Sequence, residues 1–250
     1  MAILVTGGTK GIGLAITKRL ATKGEPLFLV YHSDDMAAET ARDTISATSG
    51  AATPHLIKAD IGTIEGAAVI ADIVGKSKQP LSGIVHAAAM IYPTNLLDTD
   101  LEKFRRATET NGLSLLYLVQ KLLPAMQRGT SIIFISSMGA RIPSPFYAGL
   151  GVGKALAEAL IRYLVAELAP KGIRINAVAP GLVDTSSVAE MVGSEEGAQR
   201  VLEKSARSNP SGRLSKDSDY ASLVEYLLSP EAEFIQGQTI AATGGVGVIG

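Results

Sequence analysis

Short apolar runs alternate along the chain with stretches in which apolar residues recur every three or four positions, and the pattern repeats about every thirty residues. The apolar runs predict buried strands at residues 3–5, 27–31, 56–59, 83–87, 131–136, 173–179 and 239–241. The helical periodicity predicts helices at residues 14–21, 37–47, 65–74, 101–126, 152–169 and 220–228. Residues 182–212 are rich in Ser, Glu and Gly and predict an irregular, mobile flap.

This alternation of strands and helices favours an α/β fold. A parallel crossover needs a connection about as long as a helix, so the pattern predicts a doubly wound parallel sheet of about seven strands with helices on both faces. A chain of 250 residues is long enough for one sizeable core. We therefore expect residues 1–250 to form a single domain, with the flap at residues 182–212 set over a substrate.

Charge balance and composition exclude several classes of partner. Lys plus Arg number 23 and Asp plus Glu number 24, and no run of like charges occurs, so we expect no nucleic acid and no membrane surface as partner. The chain has no Cys and three scattered His residues, which argues against a metal site. The N-terminus lacks the pattern of a signal peptide, and we expect a cytoplasmic protein with a small-molecule partner.

The first predicted strand leads into a glycine-rich turn, Thr6-Gly7-Gly8-Thr9-Lys10-Gly11-Ile12-Gly13. Such a turn brings backbone N–H groups and the positive end of a helix to a pyrophosphate, provided that bulky side chains are absent. Gly7, Gly11 and Gly13 meet that requirement. A tight turn with close packing is the alternative, but the position at the start of a βα repeat favours a Rossmann fold that binds a dinucleotide.

The glycine spacing and its Thr prefix resemble the motif of the short-chain dehydrogenase/reductase family, and later segments match in the same order over nearly the whole chain. His86-Ala87-Ala88-Ala89 stands where that family usually has Asn-Asn-Ala-Gly, and we expect no catalytic role for His86. Asn111 matches the family Asn that supports the catalytic lysine through water. The resemblance implies cofactor contacts from Gly7, Thr9, Lys10, Gly11, Ile12, Gly13, Asp60, Ile61, Ala87, Ala88, Lys154, Pro180, Gly181, Val183 and Thr185.

The choice between NADPH and NADH depends on the charge at the end of the second strand. An Asp or Glu there accepts from the ribose 2′-hydroxyl of NAD and repels a 2′-phosphate. This chain has Tyr31, His32 and Ser33 in that region, and Lys10 stands where NADPH-using relatives often carry a basic residue. Lys10 is alternatively a solvated surface residue, and the acidic pair at 34–35 weakens the argument. We expect NADPH in preference to NADH.

The expected catalytic acid is displaced. In most of the family a Tyr precedes the catalytic Lys with three residues between them, but counting back from Lys154 gives Leu150. Tyr147 is the nearest phenol, with six residues between it and Lys154. On an ideal helix this step is about two turns, or roughly 10 Å along the axis, against about 6 Å for the usual spacing. Alternatively, Tyr147 is a loop aromatic that packs on the edge of the sheet.

Tyr-x6-Lys is the spacing of the enoyl-acyl-carrier-protein reductases of this superfamily. The run from Ile135-Ser136-Ser137-Met138-Gly139 to Arg162-Tyr163-Leu164 most resembles the NADPH-dependent type III enzymes, the FabL group. The resemblance implies that a hydride from NADPH reaches the β-carbon of an enoyl thioester, and that Tyr147 hydrogen-bonds the resulting enolate. It also implies that Lys154 holds the nicotinamide ribose and adds positive charge near the enolate.

Other functions remain open. Ser137 either contacts the thioester oxygen or caps the strand end. The rival enzyme function is a β-ketoacyl or other carbonyl reductase, in which Tyr147 reaches the ketone with Ser137. Because the usual acid position holds Leu150, a catalytically silent dinucleotide sensor or assembly subunit is a further alternative. The substrate carrier is expected to be acyl carrier protein, in either fatty-acid or polyketide synthesis.

The predicted helix at residues 152–169 carries more apolar surface than a one-sided stripe needs. Mean hydropathy is also high, at +0.24. Burial against a second subunit explains both observations, and the family resemblance implies a homotetramer or homodimer. A helix fully covered within one chain is the alternative.

Overall fold

The computed structural model describes residues 1–247. Its strands are β1 (Ala2–Thr6), β2 (Leu27–Tyr31), β3 (His55–Lys58), β4 (Leu81–His86), β5 (Met126–Ile135), β6 (Arg174–Pro180) and β7 (Thr239–Ala242). Its α-helices are α1 (Gly11–Ala21), α2 (Asp35–Ser46), α3 (Ile64–Ser77), α4 (Leu101–Thr108), α5 (Ser114–Leu122), α6 (Ala148–Leu168), α7 (Ser186–Val192), α8 (Glu195–Ser208) and α9 (Asp217–Leu228). Within residues 1–247, none of the helices combines the length and apolar character needed to span a bilayer.

The strands form one seven-stranded sheet in the order β3-β2-β1-β4-β5-β6-β7. Every neighbouring pair is parallel. The prediction of a doubly wound parallel α/β sheet with seven strands is therefore confirmed. The chain leaves β1 toward β2 on one side and returns to β4 on the other, so a crevice opens at the carboxyl ends of β1 and β4, where such folds bind ligands.

Alternate residues of the strands pack into two separate cores. On β5, Ile132 and Phe134 belong to the core under α3, α5 and α6, whereas Ile133 and Ile135 belong to the core under α1 and α9. Successive strand residues point to opposite faces, so a strand covered on both faces is apolar throughout. This double covering explains why the strands appear in the sequence as unbroken apolar runs.

Two element predictions were wrong. The single helix predicted at 101–126 is split into α4 and α5 by a π-helical turn, Glu109–Leu113, and the chain enters β5 at Met126. A π-helical turn adds one residue to a single turn of the helix. This changes the spacing of apolar residues too little for the interruption to be visible in the sequence.

The segment 182–212 is not irregular, since it contains α7 and α8. Ser194 caps α8 by accepting from the Gly197 N–H at 3.1 Å, and Val188, Ala198 and Leu202 form a small buried cluster. The contacts within that cluster stabilise α7 and α8, although the segment as a whole is polar in composition.

Candidate active site

The glycine-rich turn joins β1 to α1 with no room for side chains. Gly7 has φ of +64°, and a Cβ on it would lie 2.8 Å from the Ala88 Cα at the end of β4. A Cβ on Gly13 would lie 2.8 Å from the Gly7 carbonyl carbon. Close packing therefore requires glycine at both positions. Gly11 differs, because it is exposed and adopts φ of +47°.

The start of α1 is suited to an anion. Asp34, Thr63, Asp100 and Ser194 cap α2, α3, α4 and α8 with their side chains. In the described part of the chain no side chain caps the first turn of α1 after Lys10, and that turn contains no acidic residue. Uncapped N–H groups at the positive end of a helix attract phosphate. The turn therefore fits the pyrophosphate of a dinucleotide.

The predicted ribose-binding residues lie together at the end of β2. Tyr31 donates a hydrogen bond from its phenol to Asp35 Oδ1 at 2.9 Å, and this bond raises the pKa of the phenol. His32 and Ser33 follow and are exposed. A 2′-phosphate arriving from solvent can therefore reach both side chains.

Lys10 pairs with an acidic residue. Its ammonium group contacts the Asp34 carboxylate, and both side chains are exposed. The same carboxylate caps α2 by accepting from the Ala37 N–H at 2.9 Å. The Lys10 bond and this cap hold the pKa of Asp34 below its usual value. Lys10 is therefore not a purely solvated lysine. To bind a phosphate, it would have to give up its ion pair with Asp34.

Asp60 follows β3 and faces α4. Its carboxylate accepts from the Gly62 N–H at 3.0 Å and pairs with Arg106, while His32 Nε2 lies 3.7 Å away. Burial raises the pKa of Asp60, but the bonds from Arg106 and Gly62 outweigh it, so the pKa lies below its usual value. The neighbouring Ile61 is buried at 6% exposure. Asp60 is therefore a carboxylate anion, held in place by Arg106 of α4.

His86 is part of a buried hydrogen-bonded chain. The Ala88 N–H donates to Thr6 Oγ1 at 3.2 Å, and Thr6 Oγ1 lies 3.1 Å from His86 Nδ1. His86 Nε2 lies 2.7 Å from Ser114 Oγ, which donates to the Thr110 carbonyl at 2.7 Å. Because the Ser114 proton goes to the Thr110 carbonyl, Ser114 Oγ must accept a hydrogen bond from His86 Nε2, which therefore carries the ring proton. Burial lowers the pKa of His86 to about 3, so the ring is a neutral link that fixes the Ala87 and Ala88 turn.

Tyr147 immediately precedes α6 and points its phenol at the end of β5. Its hydroxyl lies 3.0 Å from Ser137 Oγ, and Ser137 Oγ accepts from the Gly139 N–H at 3.1 Å. Burial raises the pKa of Tyr147, and the Ser137 bond opposes that shift only in part. The phenol therefore keeps its proton at neutral pH and can act as a hydrogen-bond donor.

Lys154 lies in α6 and is buried. Its Nζ donates to the Ile135 carbonyl at 2.8 Å and lies 4.5 Å from the centre of the Phe134 ring. Burial lowers the pKa of Lys154 to about 7. Leu150, at the usual acid position, is buried at 7% exposure. Lys154 contacts Ile135 and Tyr147 contacts Ser137, and two residues of extended strand separate these points by about 7 Å.

Asn111 lies in the π-helical turn and ties two segments together. Its side chain accepts from the Met90 N–H at 2.8 Å and donates to the carbonyls of Met90 at 2.9 Å and Gly149 at 3.0 Å. A Cβ on Gly153 would lie 2.5 Å from the Asn111 Cβ, so α6 approaches this turn closely. π-Helical turns of this kind often mark functional sites. The water-mediated contact from Asn111 to Lys154 stays a prediction.

The loop after β6 closes over the glycine-rich turn. Pro180 ends the strand, the Gly181 N–H bonds the main chain of β7 at 2.9 Å, and Val183 is buried at 8% exposure. Thr185 directly precedes α7, and its Cγ2 would lie 3.5 Å from a Cβ on Gly11. The predicted nicotinamide loop and the predicted phosphate turn are therefore adjacent.

Sequence reasoning missed two residues of the site. Phe146, just before Tyr147, has φ of +60° and is 53% exposed, and its carbonyl accepts from the Thr94 N–H at 3.0 Å. Non-glycine residues in this conformation are uncommon and concentrate at functional sites. Glu158 is buried one helical turn after Lys154. Only its spacing of four from Lys154 could have indicated it.

Comparison with known proteins gives consistent matches. A family model described as Enoyl-(Acyl carrier protein) reductase matches residues 7–247. The 1-cyclohexenylcarbonyl-CoA reductase of Streptomyces collinus is 30% identical, over 98% of this chain and 86% of that protein. The structure of the enoyl-[acyl-carrier-protein] reductase (NADH) of Aquifex aeolicus VF5 superposes with a TM-score of 0.87 at 26% identity, covering 100% of this chain and 97% of that one. A variant of actinorhodin polyketide ketoreductase with NADPH gives a TM-score of 0.89 at 25% identity, covering 99% and 97%.

A parallel sheet with a glycine-rich turn at its switch point, a buried lysine bonded to Ile135 and a phenol bonded to Ser137 are typical of a dinucleotide-dependent oxidoreductase. The family match over nearly the whole chain makes the assignment specific. The chain belongs to the short-chain dehydrogenase/reductase superfamily of NAD(P)-dependent oxidoreductases.

Proposed function

We propose that this chain reduces the α,β-double bond of enoyl thioesters with NADPH. The position of the phenol carries this proposal. The usual acid position is filled by the buried Leu150, while Tyr147 bonds to Ser137 at the strand end. The phenol is therefore displaced along the strand from the point where Lys154 bonds. In enoyl reduction the hydride adds two carbons from the oxygen-bearing carbon, so the donor to that oxygen must stand further from the hydride path.

The phenol of Tyr147 acts as a hydrogen-bond donor to the thioester oxygen. NADPH, when bound, supplies a hydride to the β-carbon of the substrate. The pKa of Tyr147 is raised by burial, so the phenol retains its proton and stabilises the enolate without transferring it. One preorganised donor of this kind contributes a factor of about 10²–10³ in rate. Water or a relay then protonates the α-carbon.

Three further residues support this arrangement. Lys154 would hold the nicotinamide ribose hydroxyls, and its buried ammonium form, populated up to its pKa of about 7, favours the enolate more than an exposed one would. Ser137 bonds the phenol and fixes its direction. Asn111 holds the start of α6 through Gly149, so that Lys154 and Tyr147 keep their places.

NADPH is the proposed cofactor. His32 and Ser33 are exposed at the end of β2, where an acidic residue would exclude a 2′-phosphate. Lys10 lies close enough to Asp34 to pair with it and can exchange that carboxylate for the phosphate. The ketoreductase relative with NADPH supports this choice, whereas the Aquifex aeolicus enzyme is named for NADH.

The proposed substrate is carried by acyl carrier protein, as the family description suggests. The Streptomyces collinus relative is named for a CoA thioester, so both carriers belong in the assay.

We also propose a homotetramer or homodimer. Val152 and Tyr163 are 41% and 78% exposed on α6, and a second copy packed there would cover them.

A side-by-side assay tests the proposed reaction. Crotonyl and acetoacetyl thioesters, each on CoA and on acyl carrier protein, are supplied with NADPH or NADH, and cofactor oxidation is followed at 340 nm. The proposal expects NADPH oxidation with the crotonyl thioester and release of the butyryl product. Oxidation with the acetoacetyl thioester alone refutes it. Absence of turnover with any thioester while NADPH still binds supports the alternative of a catalytically silent cofactor sensor.

A β-ketoacyl reductase is the second candidate. One observation favours it: Ser137 and Tyr147 form the hydroxyl pair that binds a ketone in carbonyl reductases of this family. The actinorhodin ketoreductase also superposes over 99% of this chain. Leu150 argues against it, because the phenol is then displaced from its usual place beside the lysine. The same assay decides between the two.

A further inference from the structure

Three consecutive residues at the end of β5 each bond to a different residue at or in α6. Ile135 accepts through its carbonyl from Lys154, and Ser137 bonds to Tyr147 through its hydroxyl. Between them, Ser136 donates from Oγ to Glu158 Oε1 at 2.6 Å. The first two contacts involve residues already placed in the reaction, and the third has no assigned role.

Glu158 is a buried carboxylate held from two sides. Its side chain is 6% exposed, and besides Ser136 it accepts from Arg141 Nε at 3.0 Å through Oε2. A buried carboxylate is costly unless donors satisfy it, so these bonds define its position. Arg141 lies in the segment between Ser137 and Tyr147. The carboxylate therefore connects the strand end, that segment and α6.

The spacing of these contacts matters for the reaction. Lys154 and Glu158 are four residues apart and lie on one face of α6, one turn from each other. Their partners Ile135 and Ser136 are adjacent in the chain. A shift of Ser136 therefore moves both the carbonyl that Lys154 binds and the hydroxyl of Ser137. The strand end cannot slide along α6 while all three contacts persist.

We propose that Glu158 is a positioning residue that fixes the end of β5 against α6, so that Ser137 and the Ile135 carbonyl keep the spacing that Tyr147 and Lys154 require. This inference rests on the proposed use of Tyr147 and Lys154 in reduction. Glu158 touches neither substrate nor cofactor in this role. It acts through Ser136 and Arg141.

Ser136→Ala is the primary test because β5 supplies a matched control. Ser131 lies on β5, five residues before Ser136, is also buried, and donates one side-chain hydrogen bond, to the Leu227 carbonyl at 2.8 Å at the opposite end of the sheet. Each variant loses one buried side-chain hydrogen bond, but the Ser131 bond goes to a neutral carbonyl and the Ser136 bond to a buried carboxylate. We therefore expect both variants to lower Tm, with the larger loss in Ser136→Ala. Only Ser136→Ala should lower kcat, by about tenfold to a hundredfold.

A second variant checks that the effect passes through the carboxylate. Glu158→Gln weakens the bond from Ser136 and also removes the ion pair with Arg141, so it should lower kcat more than Ser136→Ala, with little change in KM. The double variant should be no worse than Glu158→Gln alone, because Ser136 acts through that carboxylate. The Kd for NADPH, followed by cofactor fluorescence, should rise by a smaller factor than kcat falls in both variants, because Lys154 supplies one of several cofactor contacts. Kinetic losses that multiply in the double variant overturn the proposal.

A substrate-free measurement keeps this inference separate from the proposed reaction. In protein labelled with 13C-tyrosine, the Tyr147 resonance is assigned by its loss in Tyr147→Phe. We expect that resonance to move in Ser136→Ala and in Glu158→Gln, and to stay fixed in Ser131→Ala. An unmoved resonance in the first two variants overturns the positioning role. Failure of the wild-type protein to reduce any thioester overturns the proposed reaction, and the resonance still decides the role of Glu158.

Discussion

The packing of Gly139 against Tyr147 gives a direct test of the displaced phenol. A Cβ on Gly139 would lie closer than 3.0 Å to the Tyr147 ring carbons Cδ1 and Cε1. Carbon atoms normally approach to about 3.5–4.0 Å, so Gly139→Ala must push the ring away by about 1 Å. Gly139 has ordinary backbone angles, so alanine adds no backbone strain there.

A misplacement of about 1 Å in a catalytic group costs roughly 10² in rate, which corresponds to about 2.7 kcal/mol in the activation free energy. We expect Gly139→Ala to lower kcat with the crotonyl thioester by this factor. The Kd for NADPH should stay unchanged. Gly75→Ala is the matched control, since a Cβ there meets nothing within 4 Å and helix α3 favours alanine.

The double variant Gly139→Ala with Tyr147→Phe shows whether the loss passes through the phenol. If Gly139 acts only by placing Tyr147, the double variant is no slower than Tyr147→Phe alone. The reasoning is that a side chain at Gly139 would displace the Tyr147 phenol from its working position. A wild-type kcat in Gly139→Ala would refute it. So would a double variant in which the two losses multiply.

Three further predictions concern the same site. Tyr147→Phe should lower kcat about 10²–10³-fold by removing the enolate donor, as measured by steady-state kinetics, and an unchanged rate excludes Tyr147 from the mechanism. Asp34→Asn keeps a capping residue on α2 and removes the charge that holds Lys10, so NADPH should bind several-fold tighter while NADH changes little; fluorescence titrations of both cofactors measure this, and equal gains contradict it. Burial lowers the pKa of Lys154 to about 7 in the folded state from 10.5. The unfolded chain therefore binds more protons above pH 7, and the contribution of Lys154 to the free energy of unfolding rises between pH 7 and 9. Urea denaturation should show this rise reduced in Lys154→Met, and identical pH profiles would count against a buried lysine.

The fold could be predicted well because it depends on short-range patterns. Double covering makes each strand an unbroken apolar run, and the thirty-residue repeat indicates parallel crossovers. The pattern failed at residues 182–212, because α7 and α8 draw their stability from a small cluster around Leu202 and from the Ser194 cap rather than from a long apolar stripe. It also failed at Asn111, where a π-helical turn interrupts a helix without breaking its polarity pattern.

Part of the site could be predicted by counting residues. The sequence placed Leu150 where the acid usually stands and left Tyr147 as the nearest phenol, and the structure has Leu150 buried and Tyr147 directly before α6. Counting residues along the chain could not predict which charged side chains form ion pairs. Neither the pairing of Lys10 with Asp34 nor that of Asp60 with Arg106 follows from the sequence, because each joins groups more than twenty residues apart.

The amino-acid sequence by itself determined the order of the seven strands, the glycine-rich turn and the spacing of Tyr147 and Lys154, because these depend on neighbours along the chain. The tertiary structure alone decided how that spacing is realised. It places Lys154 against Ile135 and Tyr147 against Ser137, and it fastens Glu158 to the residue between them. These contacts join a strand end to a helix, and their distances depend on how the helix packs across the sheet. That packing is set by side chains from many distant segments, so no local pattern records it.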